Sequence, residues 1–223
     1  MAIFTDFICI FGLVGNGIVL WLFGFRIKRN PFTTYILNLT ICDFGFLLFL
    51  FLFNIFPMIY IFSVHLDTVI LDILLGYDTF LSLLLLMYSS GQFLLTAISL
   101  DRCVAVLFPD WYYCHRSPNV STTVCSLIWV FLFLLCGMQL TLLFTGNNDD
   151  FHLMLFYQYF AISSICLLLM TISSLILFIK FHLKLQTCQY GKLLTVILLT
   201  LLFALLFSFL TSAFSIAMYL QKF

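Results

Sequence analysis

Residues 91–116 read GQFLLTAISLDRCVAVLFPDWYYCHR, and the fold turns on this stretch. The run leading into it, from Leu74 on, is mostly apolar, and so is its own first half. Asp101 and Arg102 then arrive side by side. A backbone in lipid has to satisfy its N–H and C=O groups internally, so a long apolar run that ends on charge reads as a spanning helix meeting water. The charge pair itself has two readings. It marks the interface, or it is a switch with two states that binding elsewhere can bias.

The rest of the chain has the same character. Of 223 residues, 64% are hydrophobic and 8% charged, and the mean hydropathy is +1.21. A soluble domain carries about a quarter charged residues, so a fold this poor in charge could not cover its own surface in water. The apolar runs are long and unbroken rather than alternating, which selects helices over a β-barrel. The expected class is therefore an all-α membrane protein whose first partner is the lipid bilayer. Net charge is zero and no basic face exists, which leaves nucleic-acid binding without support.

The cysteines, at 9, 42, 103, 114, 125, 136, 166 and 188, show neither CxxC pairing nor zinc spacing. They read as small apolar residues in or near the bilayer. The histidines at 65, 115, 152 and 182 lie near loops without metal spacing. There is no nucleophile elbow, P-loop or HExxH. An enzyme and a metal site are accordingly not expected.

A span needs about 20 apolar residues, and six candidates emerge, at about 3–25, 33–56, 69–106, 120–144, 153–181 and 192–220, read as one transmembrane domain over 1–223. Pro57 falls near the far end of the second. The third is longer than one crossing needs, so it is tilted or begins in a loop. The loops set the orientation. Arg26, Lys28, Arg29, Arg102, Arg116, Lys180, Lys184 and Lys192 fall on one side, against Asp67, Asp72, Asp149 and Asp150 on the other. Basic loops stay cytoplasmic, so the amino terminus is expected outside the cell and the loops at 25–32, 102–119 and 180–192 inside. The sequons at Asn38 and Asn119 then fall within the bilayer or on the inner side and read as chance matches.

Polar groups inside spans are costly and call for a role. Asn16 sits between Gly15 and Gly17, which permit close approach by a neighbouring helix. Asn38 and Asp43 lie in the second span, in YILNLTICDFGF. A buried carboxylate has to find donors, bind a cation or take up a proton. Two readings stay open for Asn16, Asn38 and Asp43. One is a hydrogen-bond clamp between the first two helices, the other an ion or proton site, with sodium the candidate ion at Asp43. Asp78, in GYDTF, reads as a loop residue in preference to one facing an outer vestibule.

Several motifs now stand together. GNGIVLW with Asn16, NLTICD with Asn38 and Asp43, AISLDRC with Asp101 and Arg102, and Trp129 in CSLIWV resemble the rhodopsin-like G-protein-coupled receptors. GNGIVLWLFGFRIKRNPFTTYILNL, QFLLTAISLDRCVAVLFPDWYYCHR, VCSLIW and GKLLTVILLT are similar to the Mas-related receptors in particular. The resemblance covers the first four helices and the start of the sixth. It implies a rhodopsin-like bundle, with six of the seven helices present, in the plasma membrane. It implies a function too: an extracellular peptide or small-molecule ligand is transduced to a heterotrimeric G protein. Asp101 would hold Arg102 at rest, and Asp101, Arg102 and Cys103 would form the coupling switch. FPDWYYCHR would be an intracellular loop that meets the G protein through Pro109 and Tyr112. Asp43 would belong to an interior polar site with Asn16 and Asn38.

The departures from that family pattern are equally specific. Leu168 and Leu210 stand where prolines are usual in the fifth and sixth helices, and Ile176 where a tyrosine is usual. Gln139 replaces an acidic residue at the outer end of the fourth helix, and Phe151 or His152 a cysteine. Leu84 stands at the place of the amine-binding aspartate, and the asparagine–proline–tyrosine motif of a seventh helix is missing. Asp78 and Gln139 are left as the ligand-binding candidates. The chain reads as a receptor cut short before the seventh helix, in an incomplete or a decayed copy. The alternatives are a non-signalling membrane partner of intact receptors and a six-helix transporter.

Overall fold

The computed structural model describes residues 2–28, 30–63, 69–115, 117, 119–145 and 148–184. Among these residues there is no strand. The chain runs α1 (Ala2–Trp21), a π-helical turn (Leu22–Arg26), α2 (Pro31–Ser63), α3 (Val69–Leu107), α4 (Pro109–His115), α5 (Val120–Phe144) and α6 (Asn148–Lys184). Five helical segments among the described residues are long and apolar enough to cross a membrane: Phe4–Arg26, Pro31–Ile55, Gly76–Leu107, Val120–Phe144 and Asp150–Lys180. The sixth expected span, 192–220, lies outside the described residues.

Local chemistry explains where several helices begin and end. The π-helical turn closes on Ile27, which is extended (φ −99°, ψ 132°) and returns its N–H to Leu22 O at 3.0 Å. Arg26 lies over the Trp21 ring, 5.2 Å from its centroid, a cation–π contact at the end of the span. Asn30 then caps α2. Its Oδ1 accepts the Thr33 N–H at 2.7 Å, and its own N–H donates to Thr33 Oγ1 at 2.7 Å. This reciprocal pair satisfies two donors that a helix start leaves orphaned, with Thr in the place usually taken by Glu. Pro31 at the first helical position loses no bond, because its missing N–H has no partner there. The backbone of α2 continues through Pro57 to Ser63, past the expected end at 56. α3 is likewise one unbroken helix.

Several hydroxyls in the spans bond back to their own helices. Thr40 donates to Ile36 O at 2.8 Å, Ser82 to Asp78 O at 3.0 Å, Ser90 to Leu86 O at 2.7 Å and Ser173 to Leu169 O at 2.8 Å. This local bonding gives each of these buried hydroxyls an acceptor within its own helix. The described cysteines are free thiols, and all but Cys114 are buried.

The chain divides into two compact units, 1–94 with 118–159, and 95–117 with 160–223. In the first, α1 packs on α2 and α2 on α5. A core cluster forms from Leu85 of α3, Leu143 of α5 and Phe151 and Leu155 of α6, with Tyr88 and Tyr159 packed against it. Those two rings stack at 5.3 Å. Gly12 and Gly45 are close-approach points. A Cβ at Gly12 would lie 2.6 Å from Leu47 Cδ1, and one at Gly45 2.8 Å from Met87 Sδ. Gly15 meets nothing within 4 Å, and Gly17 only Phe44 at 3.8 Å. The expected close approach at Gly15 and Gly17 is thus displaced by one turn to Gly12.

The second unit holds the end of α3, α4 and the second half of α6. Its buried residues include Thr96, Ser99, Cys103, Ser163, Cys166, Met170 and Leu177. Lys180 donates from Nζ to Leu107 O at 3.1 Å, so a cation sits on the last carbonyl of α3. Both the orphaned carbonyl and the helix dipole favour a positive charge at that end.

Candidate functional site

The site begins where α3 stops. Residues before proline avoid the α-helical region, and proline is at home in a first helical turn. Leu107 accordingly ends α3, Phe108 is the joint, and Pro109 opens α4. Phe108 still donates its N–H to Val104 O, and Tyr112 N–H donates to Phe108 O, each at 2.9 Å, so the corner keeps its backbone bonds. The short helix carries Tyr112 back towards α3. Its hydroxyl donates to Asp101 Oδ2 at 2.9 Å. Asp101 is half-buried, Arg102 exposed and Cys103 buried. Pro109 is exposed and Tyr112 half-buried. Asp101 and Tyr112 were expected on separate grounds, one in the switch and one as a loop contact. The structure brings them together.

A second polar contact joins α2 and α5. Trp129 Nε1 donates to Asn38 Oδ1 at 3.0 Å, while Asn38 Nδ2 donates to Thr34 O at 2.9 Å. Asn38 thus uses both ends of its amide. Asn16 donates from Nδ2 to Gly12 O, within its own helix, at 3.0 Å. Asp43 is exposed rather than buried. The expected clamp between Asn16, Asn38 and Asp43 does not form among the described residues: each asparagine is engaged elsewhere. Sequence depth in a span says how far a residue lies from water, not which side of the helix it occupies.

The two ligand-binding candidates are both buried. Gln139, 1% exposed, donates from Nε2 to Gln158 Oε1 on α6. Asp78 lies inside α3 and is 5% exposed, so the loop position expected for it is corrected. Nothing in the described residues joins Asp78 to Gln139 directly. Asp6 and Asn54 form a further pair, with Asn54 Nδ2 donating to Asp6 Oδ1 at 3.2 Å. Sequence reading passed over Gln158, Asp6 and Asn54. A side-chain amide or a carboxylate within a long apolar run was the available signal in each case.

Comparison with known proteins bears on this geometry. The model of the seven-transmembrane receptor (rhodopsin family) matches residues 15–222. The chain belongs to that receptor family, a signalling class rather than an enzyme family, and is a multi-pass membrane protein. Its relatives within it include Mas-related receptors and Proto-oncogene Mas. It is 42% identical over 139 residues to Mas-related G-protein coupled receptor member A1 of Mus musculus, covering 58% of this chain and 40% of the relative. It is 35% identical over 210 residues to Proto-oncogene Mas of Homo sapiens, covering 88% of this chain and 60% of the relative. To Mas-related G-protein coupled receptor member D of Homo sapiens it is 37% identical over 182 residues, covering 80% of this chain and 53% of the relative. The chain therefore spans 40% to 60% of the length of these relatives. The six-helix transporter reading is not favoured.

Proposed function

We propose that this chain carries the signal-transducing part of a Mas-related receptor, relaying an extracellular peptide or small-molecule ligand to a heterotrimeric G protein. In this reading it lies in the plasma membrane with its amino terminus outside, as the basic loops favour. The end of α3 then faces the cytoplasm. Asp101, Arg102 and Cys103 form the coupling switch, and Pro109 and Tyr112 belong to the loop that meets the G protein. The observation that carries the reading is the Tyr112–Asp101 hydrogen bond at 2.9 Å. It fixes α4 to the acid of the charge pair, so a protein that moves α4 also changes the field at Arg102. An equilibrium between two such arrangements shifts by as much as a partner's affinity differs between them.

The test is nucleotide loading. Membranes from cells that express the chain with each class of Gα subunit are assayed for GTPγS uptake, with and without Arg102→Ala. The expected result is loading above that of untransfected membranes, returned to background by the substitution. Loading that Arg102→Ala leaves unchanged overturns the switch role.

A further inference from the structure

α4 follows a membrane span with only Phe108 between them, and it leaves large apolar side chains uncovered. Phe108 is 61% exposed and Trp111 is 54% exposed. They are three residues apart, which places them on one face of a helical turn. Asp110 falls on the other side of that turn, at about 100° per residue. Tyr112, on the flank, is tied to Asp101, so the rotation of α4 about its own axis is set. The face also follows directly on exposed apolar surface of the span. Leu100 and Val106, in the last turns of α3, are exposed on two sides of the helix that ends at Leu107. Phe108 carries that apolar exposure one residue beyond the end of the span.

We infer that α4 lies on the membrane, with Phe108 and Trp111 seated in the headgroup layer and Asp110 turned to water. The occupant of this face is lipid. An indole ring suits the boundary because it is apolar in body and carries one N–H that headgroup oxygens accept. Helices with one apolar face and a polar opposite face settle in this layer. α4 is short, but it does not have to bind lipid alone: α3 holds it at the boundary, and the two aromatic rings need only choose its direction. The inference goes beyond G-protein coupling. It rests on α3 crossing the membrane, not on whether the chain signals.

The experiment uses the full chain in phosphatidylcholine vesicles, compared with Trp111→Phe. The Trp111 emission is the difference between the two, with Trp21 and Trp129 present in both. Vesicles carry lipids brominated either near the headgroup end of the acyl chain or near its tail. The expected result is about a twofold loss of the Trp111 component with shallow bromines, a smaller loss with deep ones, and little loss with aqueous iodide. Quenching by iodide without quenching by shallow bromines overturns the inference, because the face is then in water. Stronger quenching by deep than by shallow bromines also overturns it. Trp111→Tyr is the second reference should Trp111→Phe not fold, with helical circular dichroism as the check on folding.

Discussion

The Tyr112 hydroxyl donates to Asp101 Oδ2 at 2.9 Å, and this one bond ties α4 to the acidic member of the charge pair. A hydrogen bond to a carboxylate is worth about 1.5–3 kcal/mol, less where the pair is partly solvated, as here. Tyr112→Phe keeps the ring and removes the bond. We expect the amides of α4 to exchange about fivefold faster in the variant, for a loss of about 1 kcal/mol in local stability. Hydrogen exchange read by mass spectrometry measures it. Unchanged exchange over 109–115 would show that the bond does not hold α4.

Trp129 and Asn38 give the second prediction. Trp129→Phe preserves the aromatic body but withdraws the N–H from Asn38 Oδ1. Polar contacts between membrane helices average about 0.6 kcal/mol in double-mutant cycles, with a maximum of about 1.7. Thermal unfolding in detergent of Trp129→Phe, Asn38→Ala and the pair should yield a coupling in that range. Strict additivity would show that the contact contributes nothing to stability.

The Gln139–Gln158 pair should behave asymmetrically. Replacing Gln139 alone by Leu leaves the half-buried amide of Gln158 without this partner, at a cost of about 1 kcal/mol. Replacing both by Leu removes the polar groups together and should recover most of that loss. Midpoints of detergent unfolding decide it, and a double variant less stable than the single would contradict the account.

The glycines of α1 and α2 differ in what surrounds them. Gly15→Ala meets open space and should be neutral or stabilising, since Ala is favoured over Gly inside a helix by about 1 kcal/mol. Gly45→Ala presses on Met87 Sδ at 2.8 Å, and Gly12→Ala on Leu47 Cδ1 at 2.6 Å. Both neighbours are flexible, so these two should fall below Gly15→Ala by about 1–2 kcal/mol rather than unfold the protein. Shortening the neighbour in Gly45→Ala with Met87→Ala should narrow the gap. The ranking of the unfolding midpoints is the measurement.

These cases show what could be read from the residues. The spans were legible because lipid demands length and apolarity, and α5 was expected at 120–144, where it lies. α2 begins at Pro31, ahead of the expected 33, because the cap that Asn30 forms with Thr33 lies at the polar edge of the apolar run from which the span was read. Faces were another matter. A soluble helix shows its buried side by polar residues opposite, but a helix that lipid surrounds is apolar all round. So Asp43 was expected inside and is exposed, and close packing was expected at Gly15 and found at Gly12. The Tyr112–Asp101 contact was hidden for a different reason. It depends on how sharply the chain turns at Phe108, which no periodicity encodes. The π-helical turn at Leu22–Arg26 left no trace in the apolar pattern either.

α5 shows what this one-sided burial means for tolerance to change. Its buried residues are Ser121, Cys125, Leu132, Cys136, Gln139 and Leu143, spaced as one narrow stripe. Leu127, Val130, Phe131 and Leu134 all face outwards. A saturation library across α5, sorted for folded protein at the cell surface, would carry two separate kinds of constraint. Along the stripe, volume would be selected and small residues retained. Around the rest, Trp129 with its bond to Asn38 apart, any apolar side chain would pass and charge alone would be rejected. The helix would thus be free to drift in sequence over most of its circumference while its place in the fold stayed the same.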